Sequence, residues 1–241
     1  MNHYLSMEHL KLRHSYINWV VVATNVIAVG FTGIMLLTAP LTNAVRLATF
    51  QNNFSVIWLY IGLTVLALEK SRQEQNAGNF FNVRDSVIDM PKYYHAVFLN
   101  LYRVFIEGLI LYETFAFAFL FLVFGLTGID FYQEMFLPGI FIALFAAWLL
   151  PVIYLLVINL NHIVAVALVF ALLVSGLFTL PTPWSVATYN IAYLAGLSPN
   201  GLPLSHDNDT LIWPALLTTL VMIAVLEGIL YLHTRRQHHD K

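Results

Sequence analysis

The sequence predicts an all-α integral membrane protein of six transmembrane helices, and three observations carry that prediction. With 59% apolar residues, 10% charged residues and a positive mean hydropathy, a soluble domain would lack the polar surface needed to cover itself. The apolar residues fall in blocks close to the ~20 residues that a helix needs to cross a ~30 Å hydrocarbon core. One long stretch, Glu69 to Arg103, is instead dense in charge and amide, so it must lie in water. The chain has no cysteine, which excludes disulfides, thiolate metal sites and a cysteine nucleophile. The formal net charge of -2 says little by itself, because membrane proteins carry information in how Lys and Arg are distributed.

Before the first span, Leu5, Leu10 and Leu12 are spaced so that a short polar helix rests an apolar side on the bilayer surface. Tyr16 to Leu37 reads as the first span, too long for the apolar core of a signal peptide. Pro40, Thr42, Asn43 and Arg46 make a turn, and Phe50 to Leu68 forms the second span, with polar residues near its outer end. Within the charged loop, Gly78 and Pro91 are the punctuation. Between them, Phe80, Val83 and Val87 recur on one side of a helix over Asn79 to Ile88 while Asn82, Arg84 and Asp85 fall elsewhere, which predicts a short amphipathic helix beneath the membrane.

From Pro91 the helical pattern runs to Phe124, a length of about 50 Å at 1.5 Å per residue. That exceeds the bilayer, so the part through Arg103 projects into the cytosol and the third span covers Val104 to Phe124. The fourth span is Leu137 to Val157 with Pro151 inside it, and Asn159, Asn161 and His162 turn the chain into a fifth span, Ile163 to Leu180. Pro181 and Pro183 end that helix. Trp184 to Leu197 is apolar but too short to cross, which suits a re-entrant or surface-lying helix. Leu211 to Leu232 is the sixth span, followed by a basic tail to Lys241.

Charge tests the count. With both termini and the long loop in the cytosol, the inside holds Lys11, Arg13, Lys70, Arg72, Arg84, Lys92, Arg103, Arg235, Arg236 and Lys241, and of the 11 basic residues only Arg46 is outside. Removing any one span breaks this asymmetry.

Three carboxylates lie in or at the ends of spans: Glu107, Glu113 and Glu227. A charge in hydrocarbon normally faces a partner, a cavity or the bundle interior, so they are the candidates for an intramembrane polar path or proton relay. Against that reading, Arg103 stands one turn before Glu107, and Glu227 is close to Arg235 and the headgroups. Glu113 is deeper, with no basic residue nearby in the chain. It serves either a functional site or a hydrogen-bonded carboxyl in the packed bundle. The nine histidines form no HExxH or clustered metal pattern. Ser175 with His162 is the nearest thing to an intramembrane serine hydrolase pair, but one is near mid-span and the other at the inner face. No GxxxxGK[ST] phosphate loop occurs, so ATP is not bound by that route.

The layout resembles the permease subunit of a type 2 ABC exporter. MEHLKLRHS before the first span is similar to that family's opening segment, and EKSRQEQNAGNFFNV after the second is similar to its coupling region. After Val83 the chain departs from the family pattern, with RDSVIDMPKYY in place of a more usual LPxSRxxxxxAK. Small permeases of this kind protect Gram-positive bacteria against lantibiotics and related bacteriocins. The resemblance implies that Gly78, Asn79, Phe80, Phe81, Asn82, Val83, Arg84 and Asp85 dock into an ABC ATPase dimer that binds ATP and Mg in place of this chain. It also implies a second permease chain, identical or related, a peptide or lipid-like substrate, a plasma-membrane location and no nucleic-acid partner. On that reading the chain is no enzyme and has no cofactor of its own. The alternatives are an intramembrane enzyme using Glu113 and a non-transporting immunity protein that sequesters a peptide.

Overall fold

The computed structural model describes residues 2–13, 15–38, 41–76, 89–125, 135–178, 217 and 219–229. Every regular element among them is helical. In chain order they are α1 (Asn2–Arg13), α2 (Ile17–Leu37), α3 (Asn43–Asn53), a π-helical turn (Phe54–Trp58), α4 (Leu59–Asn76), α5 (Met90–Phe124), α6 (Leu137–Asn159), α7 (His162–Phe178) and α8 (Thr219–Ile229). Four helical stretches are long and apolar enough to cross a membrane: Ile17–Leu37, Val45–Asn76, Met90–Phe124 and Pro138–Asn159. This is the architecture of a helical membrane protein. The helix expected over Asn79 to Ile88, the apolar segment Trp184 to Leu197 and the basic tail lie outside the described residues, as do the ends of the sixth span.

The second span begins earlier than its apolar run. Thr42, expected in a turn, is the N-cap of α3, where its hydroxyl accepts from the Val45 N–H at 3.5 Å. The helix then continues through the π-helical turn to Asn76, so Gln51, Asn52 and Asn53 are carried on a helix. Its foot also runs past the last apolar residue, Leu68, and brings Lys70 and Glu74 with it.

The long helix is the expected one. Asp89 caps α5 by accepting from the Lys92 N–H at 3.3 Å, Pro91 stands in the first turn where its missing N–H costs nothing, and Gly125 ends the helix in the left-handed conformation at φ 63°. Its 35 residues form one unbroken helix. α2 packs along it through the face Asn25, Ala28, Val29, Thr32, Gly33 and Leu36, which recurs every three to four residues. Two close approaches favour glycine, since any side chain there would push a neighbour aside. A Cβ on Gly108 would lie 2.8 Å from Val21 Cγ1, and one on Gly33 would lie 2.6 Å from the Phe119 ring. Small residues let membrane helices come together in this way. Asn25 closes the seam by donating to the Gly108 carbonyl at 2.8 Å. On the other side, α6 packs against α4 and α5, burying Trp148 and Tyr154, and Tyr154 meets Phe98 edge to face.

α1 does not present its leucines as a single apolar side. Leu10 is exposed, whereas Glu8 and Leu12 are buried. The helix lies along the foot of α5, where the Tyr4 hydroxyl accepts from the Asp89 N–H at 3.2 Å, Asn100 donates to the Leu5 carbonyl at 3.3 Å, and Arg103 stands 3.3 Å from His9. Its tie to α4 is ionic. Lys70 is fully buried between Glu8 and Glu74, with Lys11 bonded to both carboxylates at 2.7 and 3.1 Å. Gln73 adds a hydrogen bond to the Lys11 carbonyl at 2.8 Å. Two cations and two anions balance, which is the condition under which buried charge is tolerated. Tyr93 lies under the same cluster, 5.6 Å from Lys11, and burial followed by the charges of Glu74 and Glu8 pushes its phenol far up, so it stays neutral. Lys11, Lys70, Arg72, Lys92 and Arg103 thus gather at one end of the bundle, while Arg46 sits at the other against the Phe124 ring.

The cluster sets two expectations. Replacing Lys70 by Met leaves the two buried carboxylates Glu8 and Glu74 balanced by the half-exposed Lys11 instead of two cations and should cost about 3–5 kcal/mol. Removing the exposed Arg72 should cost less than about 1 kcal/mol. Unfolding of the two variants in mixed micelles gives the comparison. For Glu74, burial opposes ionisation, but the cations Lys70 and Lys11 outweigh it and hold the carboxyl below its ordinary 4.5. Burial likewise opposes charge on Lys11, but Glu8 and Glu74 raise it above 10.5. Glu74 therefore contributes stability above its unfolded value that is lost as pH falls through its folded one. Lys11 contributes stability below its unfolded value that is lost as pH rises through its folded one. Spin labels on Ser6→Cys and Gln75→Cys should keep one narrow distance between about pH 5 and about pH 10 and broaden on both sides; a distance indifferent to acid would show that this cluster does not hold α1.

Candidate intramembrane polar site

α5 and α3 bring together the groups that sequence alone leaves scattered. Adjacent residues of α5, Tyr112 and Glu113, meet adjacent residues of α3, Phe50 and Gln51. The buried Tyr112 hydroxyl donates to the Phe50 carbonyl at 2.9 Å. The Gln51 amide donates to both oxygens of Glu113, at 2.8 and 2.7 Å. Phe50 lies edge-on to Tyr112 and to Phe119, sealing that side of the pair with aromatic rings. Glu113 is thus a hydrogen-bonded carboxyl whose partner is an amide on α3, and among the described residues it forms no ion pair.

The other side of Glu113 faces a groove of about 630 Å³ between α5 and α6. Ile106, Leu109, Ile110, Phe117, Met135 and Ile140 make its walls apolar, and among the described residues Glu113 is the one ionisable residue lining it. Thr114 also lines it, but its hydroxyl is spent on the Ile110 carbonyl at 2.8 Å. Gly139 stands across from the carboxyl: a Cβ there would lie 3.6 Å from Glu113 Oε1.

The other two span carboxylates do not join this site. Glu107 accepts from Arg103 Nε at 2.8 Å, and both side chains are exposed, the one-turn pair that their spacing suggested. Glu227 has a partner that the sequence did not suggest. Arg235 lies outside the described residues; Glu227 stands 2.8 Å from His95 Nε2, bridging α8 to the foot of α5, with His95 Nδ1 2.7 Å from the Pro91 carbonyl. His162, the first residue of α7, lies beside the end of α4, 3.4 Å from Gln75, and Ser175 is thirteen residues further along α7, about 20 Å away at 1.5 Å per residue. That separation excludes a hydroxyl–imidazole pair between them. No group of three or more metal-ligating side chains occurs among the described residues. The positions Gly78 to Asp85 lie outside the described residues.

Gln51 and Lys70 are the site and cluster residues that sequence reading missed. The signal for Gln51 was three consecutive amides, Gln51 to Asn53, in an otherwise apolar segment. For Lys70 it was the alternation of acid and base at Glu69, Lys70, Arg72 and Glu74, which reads equally well as a solvated face.

Comparison of the chain with protein-family models, with curated proteins and with solved structures finds no match.

The geometry separates two carboxylates that look alike in sequence. Gln51→Leu removes the donor of a partly buried carboxyl and should destabilise the fold by about 1–3 kcal/mol. Glu107→Gln breaks an exposed pair and should cost less than about 1 kcal/mol. Denaturation by SDS in mixed micelles ranks them; equal midpoints for the two variants would contradict the assignment of Glu113 to the packed interior.

Proposed function

We propose that this chain is the membrane-spanning subunit of an ATP-driven exporter, expelling a hydrophobic or amphipathic peptide such as a lantibiotic and so protecting the cell that makes or meets it. The observation that carries the reading is the pair of helical feet around residues 77–88. α4 runs on past its apolar part to Asn76, α5 starts at Met90 and continues unbroken for 35 residues, and α1 is fastened to both. A force applied to the segment between those feet therefore reaches rigid helices at both ends, which suits a segment moved by a soluble motor.

In this reading the segment Gly78 to Asp85 is the coupling helix. Phe80, Phe81 and Val83 supply its buried contact with an ATPase dimer, and Arg84 and Asp85 the polar rim. ATP and Mg bind in the ATPase, whose closure displaces the coupling segment and rocks the long helix, opening the pathway alternately to the two sides. The chain itself makes and breaks no bonds. The gathering of Lys11, Lys70, Arg72, Lys92 and Arg103 at one end, with Arg46 at the other, supports a six-span topology with both termini inside. A second permease chain completes the pathway.

Purification of the full chain from its native membrane in mild detergent should recover an ATP-binding subunit; a folded chain that repeatedly comes away without one would sink the proposal. Phe80→Asp with Phe81→Asp should abolish peptide-stimulated ATPase activity of the reconstituted assembly while leaving membrane insertion intact. Undiminished stimulation would move the docking site elsewhere.

A further inference from the structure

The groove beside Glu113 has features that transport alone does not require. It is open along one side, where Ile110 and Phe136 are more than half exposed. Its volume of about 630 Å³ falls in the ~300–1,000 Å³ range of sites for single small ligands, too small for a folded peptide. A carboxylate has roughly four acceptor positions. Gln51 approaches Glu113 from the α3 side with its single amide nitrogen, so acceptor capacity remains toward Gly139 and the groove, where Oε1 stands. A carboxylate among apolar walls calls for a cation, and among the described residues no Lys, Arg or His pairs with it.

We propose that this groove is a binding site for a lipophilic ammonium ion, whose charged head meets Glu113 opposite Gly139 and whose hydrocarbon body lies between α5 and α6 against Ile110, Phe117, Met135 and Ile140. Charge complementarity selects this occupant. A phospholipid would bring a phosphate toward the carboxyl, and a neutral alkyl chain would leave the carboxyl unanswered. Gly139 is the residue that leaves room for the head: one methyl group would just touch Oε1, and a larger side chain would occupy the space. The inference goes beyond the transport reading and does not rest on it, because it concerns equilibrium binding to this chain alone.

The test is binding of radiolabelled dodecylamine, protonated at pH 7, to the full chain in phosphatidylcholine nanodiscs, with empty discs subtracted. Saturable binding is expected, with dodecanol unable to displace it. Glu113→Gln should weaken it by about tenfold or more, the scale of one charge-assisted hydrogen bond, whereas Glu107→Gln removes the same charge outside the groove and should leave it unchanged. Gly139→Phe keeps the carboxyl and fills its forecourt, so it should abolish binding while helix content by circular dichroism is preserved. The proposal is overturned by a signal no greater than that of empty discs, by dodecanol competing as well as the amine, or by Glu113→Gln binding as tightly as the parent. If Glu113→Gln fails to insert, Gly139→Phe decides alone, and retained binding in it overturns the proposal.

Discussion

A lysine buried between two carboxylates fixes the foot of this protein. Lys70 belongs to α4, Glu8 to α1 and Glu74 to α4 one turn later, and Lys11 supplies the fourth charge. Any one of these charges alone in that position would be expensive; the four together are neutral and hydrogen-bonded. The consequence is geometric. α1, which has few apolar contacts of its own to offer, is held against α4 by charge and against α5 by hydrogen bonds from Asn100 and to Tyr4. One short helix is thereby bonded to both of the feet that bracket residues 77–88.

Higher in the bundle the same principle acts with fewer charges. Tyr112 and Glu113 lie side by side on α5 and take their partners from consecutive residues of α3, so a rotation of α3 about its axis would break both bonds at once. The π-helical turn at Phe54–Trp58 begins three residues after Gln51. An extra residue per turn there changes the face that α4 presents relative to α3, which lets α3 serve α5 while α4 packs on α6 and α7. The polar pair thus joins a helix just ahead of a discontinuity to one long unbroken neighbour.

Much of the fold was legible in the chain. Pro91 and Gly125 bracket α5 because proline suits a first turn and glycine a left-handed cap. The apolar runs of α2, α6 and α7 were visible for the same reason that they are helices, since a long apolar segment in lipid must satisfy its own backbone. The Arg103–Glu107 pair was legible because its partners are one turn apart. The errors have a common physical cause. Thr42 and Arg46 looked like a turn because they are polar, yet a polar residue can cap or continue a helix whose neighbours bury it. The burial of Glu8 and Leu12 was not legible in the spacing of α1, because the neighbour that covers them is a charged helix foot from a distant part of the chain.

By itself the sequence determined what depends on one segment at a time: helical class, the long apolar stretches, the caps of α5 and the uneven placement of basic residues. Only the tertiary structure decided which polar groups answer one another. Glu8 with Lys70, Gln51 with Glu113, and His95 with Glu227 join residues 62, 62 and 132 positions apart. No helical period links such positions. Their pairing is set by which faces of which helices come together, as the close seams at Gly33 and Gly108 set one such meeting, that of α2 with α5.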